Sequence, residues 1–340
     1  MHVDAAIYNE DATALNNGAE IRHLWLRFVG EAPKDWHYKV QFNLAGNKVS
    51  IKDAYMKKDI GFKVVTIGQF KEPFSLEEQT GSNDITFMER ALPNLFAPGR
   101  NVGAMEALSF GTTSFSAGIF GEDAGEGDST GNGDEGIGLT ARLVHAPIAE
   151  NGRVIHLGFS ATRRRPDAAS SDSTSFDSKP ESNITAVKLV GTGDILDVDY
   201  HTVYGMELAV VYGSISMQGE YFVANVVRGG ALPDLGFSSG YLFISSVITG
   251  ESRRYKAGKG SFGRLVPAGE GAVEIAVRWS LLDLTDKDVF GGNEENSTVG
   301  VNVYLSDHMR IMANYITIKA DKVGVTEEAS AIQGRLQVDF

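Results

Sequence analysis

Two runs of cationic side chains carry the most legible chemistry in this chain. "TRRRP" at 162–166 sets three guanidiniums side by side, and "ESRRYKAGKGSFGR" at 251–264 brings Arg253, Arg254, Lys256, Lys259 and Arg264 together against one glutamate. A guanidinium is a planar fork that grips phosphate or carboxylate oxygens in pairs, and clustered cations draw anions from a distance that salt shortens. Both runs therefore suit small anionic solutes; for 251–264 the alternative is a solvated turn, and for Arg163 to Arg165 a solute role and binding of lipid-headgroup phosphates from outside stay level. Between residues 69 and 101 the balance reverses, since Lys71, Arg90 and Arg100 stand against Glu72, Glu77, Glu78, Asp84 and Glu89, a net charge of −2. Residues 121–136, "GEDAGEGDSTGNGDEG", imitate part of a calcium loop through Asp128, Asn132 and Gly133. The closing position is Leu139 where a glutamate is required, so a flexible external loop is the better expectation. The seven histidines have no metal-site spacing, and the absence of cysteine removes disulfides, thiolate metal sites and thiol nucleophiles together.

The elements that must hold these groups are strands. In "WHYKVQFNL" (36–44), Trp36, Tyr38, Val40, Phe42 and Leu44 alternate with His37, Lys39, Gln41 and Asn43, so one face is oily and the other wet. The same period recurs over 1–8, 19–29, 49–58, 61–68, 102–109, 113–120, 135–146, 152–163, 200–213, 214–227, 236–250, 271–284, 295–306, 308–321 and 329–340, sixteen segments in all. No run of eighteen apolar residues exists to make a membrane helix, which leaves a soluble sandwich or a membrane barrel. The connectors favour the barrel. Those after even-numbered strands are mostly tight (30–35, 59–60, 110–112, 147–151, 307), whereas 9–18, 69–101, 121–134, 164–199, 285–294 and 322–328 are long. Short turns at one end and long loops at the other are the habit of outer-membrane barrels, and 45–48 and 251–270 are the two exceptions. In the last strand Ile332, Leu336, Val338 and Phe340 oppose Gln333, Arg335, Gln337 and Asp339, and the terminal aromatic resembles the signal read by barrel-assembly machinery. Aromatics near strand ends (Tyr8, Phe28, Trp36, Trp279, Tyr304, Tyr315) fit interfacial girdles. The strand pattern starts at Met1, so an export signal is expected to have been removed or to lie outside this sequence. A net charge of −13 disfavours a nucleic-acid partner.

"KDWHYKVQFNLAG" (34–46), "KDAYMKK" (52–58), "GQFKEPFSLEEQTGSNDITFMERALPNLFAPGRNVG" (68–103) and "YLFISSVITGESRRYK" (241–256) resemble the phosphate-selective porin O/P family, in consistent order through to Phe340. The resemblance implies an all-β, sixteen-stranded antiparallel transmembrane barrel of the bacterial outer membrane, a single unit over 1–340 that assembles as a homotrimer. It also implies that loops 69–101 and 164–199 and the periplasmic turn 251–270 fold inward, which accounts for the second exception. By motif, Arg22 in "EIRHLW", Arg90 in "FMER" and Ser82 match the family's anion-binding positions. Arg100, Lys71, Arg253 and Arg254 join them as expected pore cations. The chain departs from the family at His23 and Glu78, where a basic residue is usual, and 176–188 offers only Lys179 and Lys188 in place of a row of arginines.

The expected function is a diffusion channel for small hydrophilic solutes, preferring anions such as phosphate or polyphosphate, with outer-membrane lipid and lipopolysaccharide as neighbours. No enzyme activity or cofactor is expected. A general or weakly cation-preferring porin is the alternative, and an outer-membrane barrel enzyme or a soluble all-β binding protein are the rivals from other classes.

Overall fold

The computed structural model describes residues 1–125, 136–166 and 172–339; the calcium-like positions Asp128, Asn132 and Gly133 and the terminal Phe340 lie outside them. All sixteen expected strands are present. They are β1 (His2–Glu10), β2 in two pieces (Gly18–His23 and Trp25–Ala32), β3 (Trp36–Asn43), β4 (Ser50–Ile60), β5 (Lys63–Lys71), β6 (Arg100–Phe110), β7 (Thr113–Phe120) and β8 (Ile137–Glu150). The second half holds β9 (Arg153–Arg165), β10 (Val198–Tyr212), β11 (Ile215–Arg228), β12 (Leu235–Val247), β13 (Ala272–Asp286), β14 (Val289–Tyr304), β15 (Met309–Lys322) and β16 (Val325–Val338). The break in β2 falls at Leu24, so the sheet has seventeen segments; Gly18–His23 pairs with β1, and Trp25–Ala32 pairs with β3. Neighbouring strands pair antiparallel throughout, and β1 pairs with β16 from His2↔Gln337 to Glu10↔Ala329, which closes the sheet into a barrel. Closure leaves no long unpaired edge, so the backbone groups find their partners inside the sheet.

Alternation now has a physical direction. Along β15, Met309, Ile311, Ala313 and Tyr315 face out while Arg310, Met312 and Asn314 are buried inside. Across β14, β15, β16 and β1 the outer rows change in register, from Val299, Tyr315, Ile332 and Ile7 to Ser297, Thr317 and Ser330, and then to Glu295, Lys319 and Glu328. Apolar residues, then hydroxyls, then charges mark where the wall leaves the hydrocarbon.

Two connectors expected to be long, 285–294 and 322–328, are tight: β13 and β14 are joined by Lys287 and Asp288, and β15 and β16 by Val323 and Gly324. Their polar residues belong to strand tips that rise past the apolar belt, so composition there reports depth and not coil. Likewise β8 runs on to Glu150 through a stretch read as a turn. Strand length is uneven. β3 and β7 have eight residues each and β14 has sixteen.

Candidate functional site

The lumen is occupied by three segments that touch one another and the inner wall. Residues 72–99 leave β5, form a four-residue helix at Leu76–Gln79, and settle against the inner faces of β11 to β16. The helix starts where it does because Ser75 Oγ accepts the Glu78 N–H, while the Glu220 carboxylate of β11 accepts the N–H groups of Leu76 and Glu77, both at 2.8 Å. Further along, wall side chains donate to loop carbonyls: Asn302 to Thr86 (2.8 Å), Arg310 to Ile85 (2.9 Å), Arg278 to Glu89 (3.0 Å) and Gln337 to Asn83 (3.2 Å). The wall thus reads the loop backbone residue by residue.

Residues 172–197 of the 164–199 connector, the fifth loop, lie over this one. Glu181 accepts from the Leu92 N–H at 3.1 Å, from Ser280 Oγ at 2.5 Å and from Arg278 at 2.6 Å. Phe74, Leu92 and Phe96 pack with Phe176, Val190 and Ile195 against Val203, Phe222, Ala224 and Phe237 of the wall. That part of the inner wall is therefore apolar, an exception to the wet interior that alternation predicts. From the turn side, residues 248–271 also enter the barrel. Phe262 N–H donates to Thr80 Oγ1 at 3.3 Å, Arg142 of β8 donates to the carbonyls of Lys259 and Gly260, and Lys256 lies 3.3 Å from Asp84.

Five acidic side chains of the 69–101 segment raised the question of whether this lumen repels anions, and the structure pairs every one of them. Glu72 accepts from Asn101 and Arg164. Glu77 accepts the Ala91 N–H at 2.9 Å with Arg278 3.8 Å away. Glu78 is held by Lys71 at 2.9 Å and Arg90 at 3.1 Å, Asp84 by Lys256 and Arg264, and Glu89 by Arg22 and Arg335. Burial alone would raise the Glu78 carboxyl, but Arg90 and Lys71 overcome it and hold the group at about 2. Glu89 behaves the same way, with Arg22 and Arg335 offsetting its burial and bringing it to about 2.

The expected pore residues are distributed unevenly over this frame. Arg22 is bidentate to Glu89, both contacts at 3.0 Å, and remains partly open to the lumen. Arg90 donates to the carbonyls of Glu77, Glu78 and Thr80 as well as pairing with Glu78. Arg100 shares Asp53 with Lys39. Ser82 is buried, and its hydroxyl has no partner among the described residues. Arg253 is buried, stacked 3.9 Å over the Phe262 ring and bonded to Gln218, while Arg254 is exposed. His23 sits beside His2 with their Nδ1 atoms 3.1 Å apart.

Sequence reasoning passed over a further group. Lys57 is opposite His37 in the β3–β4 ladder, four positions from Gln41 opposite Asp53, and so shares the inward face with Lys39. Lys259 reaches the same region from the inward turn, and its ammonium is depressed by burial and then by Lys57, Lys256 and Lys39. Among the described residues, Lys57 and Lys259 carry no ion pair, whereas Lys39 pairs with Asp53 and Lys256 with Asp84. The signal was visible only as "KDAYMKK" at 52–58, in which parity places Lys57 inward.

An antiparallel barrel with an apolar outer belt, a polar lumen and ordered loops inside that lumen is an outer-membrane channel of the porin class. The family model described as "Phosphate-selective porin O and P" matches residues 1–340, and the chain belongs to that family. It is 30% identical over 315 residues to an uncharacterized protein of Caulobacter vibrioides, covering 88% of this chain but 63% of that one, under two thirds of its length. It is 27% identical over 350 residues to Porin O of Pseudomonas aeruginosa, covering 90% and 78% respectively. An anion-selective porin from Comamonas acidovorans has the same fold, with a TM-score of 0.60 at 13% identity over 98% of this chain and 96% of that one.

Proposed function

We propose that this porin is a passive channel for small hydrophilic solutes with a preference for anions, phosphate and polyphosphate among them. One observation carries the reading: every carboxylate of the 69–101 segment is paired, whereas the Lys57 and Lys259 ammoniums in the lumen have no ion pair among the described residues. An ion in a pore responds to charge that the protein has not already neutralised, so the acidic loop does not reverse the sign of the field. The three inward segments set the narrowest passage. Arg22, Arg100, Lys71 and Arg90 border it as partly compensated cations, Arg254 stands at the turn-side mouth, and Ser82 and Arg253 support the packing around it. The compensation makes the preference moderate, and phosphate gains over chloride only through bidentate contacts at Arg22 and Arg100. The protein acts as a channel and not as an enzyme.

Assembly as a homotrimer accords with the uneven wall. Eight residues at about 3.4 Å each and a tilt near 45° rise about 19 Å, short of the apolar band of about 25 Å that a barrel shows to lipid. Strands as short as β3 and β7 are served by neighbouring copies that cover that side.

Reversal potentials across a planar bilayer under a potassium chloride gradient test the sign. A chloride preference of a few fold is expected, and a clear potassium preference overturns the reading.

A further inference from the structure

The three arginines of β9 do not share a face. Thr162 points inward, bonded to Thr140, and Arg164 shares its parity, reaching Glu72 and the Gly121 carbonyl inside the barrel. Arg163 and Arg165 therefore point outward, and both are exposed. Arg163 lies opposite Leu139 and Thr202, Arg165 lies opposite Ile137, and the Arg163 guanidinium rests 3.5 Å over the ring of Tyr200. Toward the membrane centre on the same face come Tyr204 and Phe159, stacked at 6.4 Å, with Leu143, Met206 and Tyr221 in register with Phe159, and then Leu157 and Leu208. The two guanidiniums thus stand immediately beyond the aromatic edge of the apolar belt, at the loop end, where outer-leaflet headgroups lie.

At the matching level of β14 to β16 the outward charges are of mixed sign, Glu295 and Glu328 flanking Lys319. Here both are positive, and among the described residues neither has a carboxylate partner. Two like charges two residues apart on one strand face repel unless an anion comes between them. A cation held flat on Tyr200 also keeps its fork free for an acceptor arriving along the wall.

We propose that Arg163 and Arg165 form an outer-surface site for a phosphate of the phosphorylated glycolipid of the outer leaflet, its acyl chains lying on Leu139, Phe159 and Tyr204. The porin then carries lipopolysaccharide as a bound neighbour on this wall, independently of the solute in its lumen.

The test is binding of diphosphorylated lipid A to the purified, detergent-solubilised protein, followed by native mass spectrometry. Arg163→Ala/Arg165→Ala and Arg163→Gln/Arg165→Gln are compared with the unaltered chain. Charge-assisted contacts of this kind predict roughly tenfold or greater weakening in both variants. Single-channel conductance should remain unaltered, since neither residue faces the lumen. Dephosphorylated lipid A should bind all three proteins equally weakly. Equal lipid A binding by variants and parent overturns the proposal, as does displacement of the lipid by millimolar inorganic phosphate, which would mark a site for the free ion. On the parent chain alone, lipid A should bind more tightly than its dephosphorylated form, and equal binding of the two lipids overturns the proposal even if both variants fail to fold.

Discussion

Replacing Arg90 by alanine separates two roles that a cation at a pore edge can have. Its guanidinium holds the carbonyls of Glu77, Glu78 and Thr80 and one oxygen of Glu78, tying the short helix to the later part of the same loop. Glu78 would keep only Lys71, and three loop carbonyls would lose a charged donor. Breaking a mostly buried pair costs about 3–5 kcal/mol. At about 1.4 kcal/mol per factor of ten, the lower figure raises the time that residues 76–90 spend detached roughly a hundredfold. The electrostatic part is smaller, since one unit charge at about 5 Å from a solute in water-like surroundings is worth about 0.8 kcal/mol, roughly a fourfold loss of anion preference. Single-channel recordings of Arg90→Ala should therefore show noisier, larger openings together with a shift toward cations. Arg90→Lys should restore the selectivity and only part of the quiet. The glutamate clamps on Leu76 and Glu77 and the strand ladders are untouched, so the barrel should keep its heat-modifiable mobility on gels. Quiet openings of parental size with only selectivity altered would show that Arg90 contributes charge and does not hold the loop.

Neutralising Lys57 and Lys259 together as glutamines should reduce the anion preference several fold with conductance noise unaltered, and unaltered reversal potentials would remove the observation on which the anion reading rests. Glu78 and Glu89 have depressed carboxyls, so the clamp they form is complete above the ordinary carboxylate range near 4.3 and is lost as pH falls toward about 2. Open-channel noise should stay flat from pH 8 to about 4.5 and rise below about 3; a rise centred on the ordinary carboxylate range would refute the pairing. Gly68 has φ +125°, and a Cβ there would stand 2.2 Å from the Ala54 carbonyl oxygen and 2.7 Å from Tyr55 Cα. Gly68→Ala should sharply lower the yield of heat-modifiable barrel, whereas the open position Gly111 should tolerate asparagine, which suits its positive φ.

The barrel was legible because lipid imposes period two on every strand, and a slip by one residue would bring Gln333, Arg335 and Gln337 into hydrocarbon. Sixteen strands could be counted for that reason, and the inward turn could be suspected because 251–270 broke the rhythm of the connectors. Strand tips were not legible. Asn293 and Glu294 look like a loop, yet they pair with β15 above the belt, where water tolerates either face. The pairing inside the lumen was least legible of all. Arg22 finds Glu89 across 67 residues, and Arg335 finds Asp4 across 331, and nothing in local spacing announces such partners. Parity could have separated Arg164 from Arg163 and Arg165, and Lys57 from Lys58, had the strand register been fixed first.

Forty-four acidic residues against thirty-one basic ones are, as a bare count, at odds with an anion channel. The conflict dissolves once the carboxylates of the lumen are followed to their partners. Glu220 caps the loop helix, Glu181 bridges the fifth loop to Arg278, Glu207 is bidentate to Arg142, and Asp4 is bidentate to Arg335. Holding three ordered segments inside a tube requires strong, directional contacts, and carboxylates supply them by accepting backbone N–H groups and guanidiniums together. Each carboxylate used in this way is largely cancelled within a few ångströms. A passing ion then responds to the unpaired remainder within a Debye length of about 8 Å. Net charge describes the whole surface, whereas selectivity is decided by the few ammoniums and guanidiniums that folding the loops inward leaves without a partner.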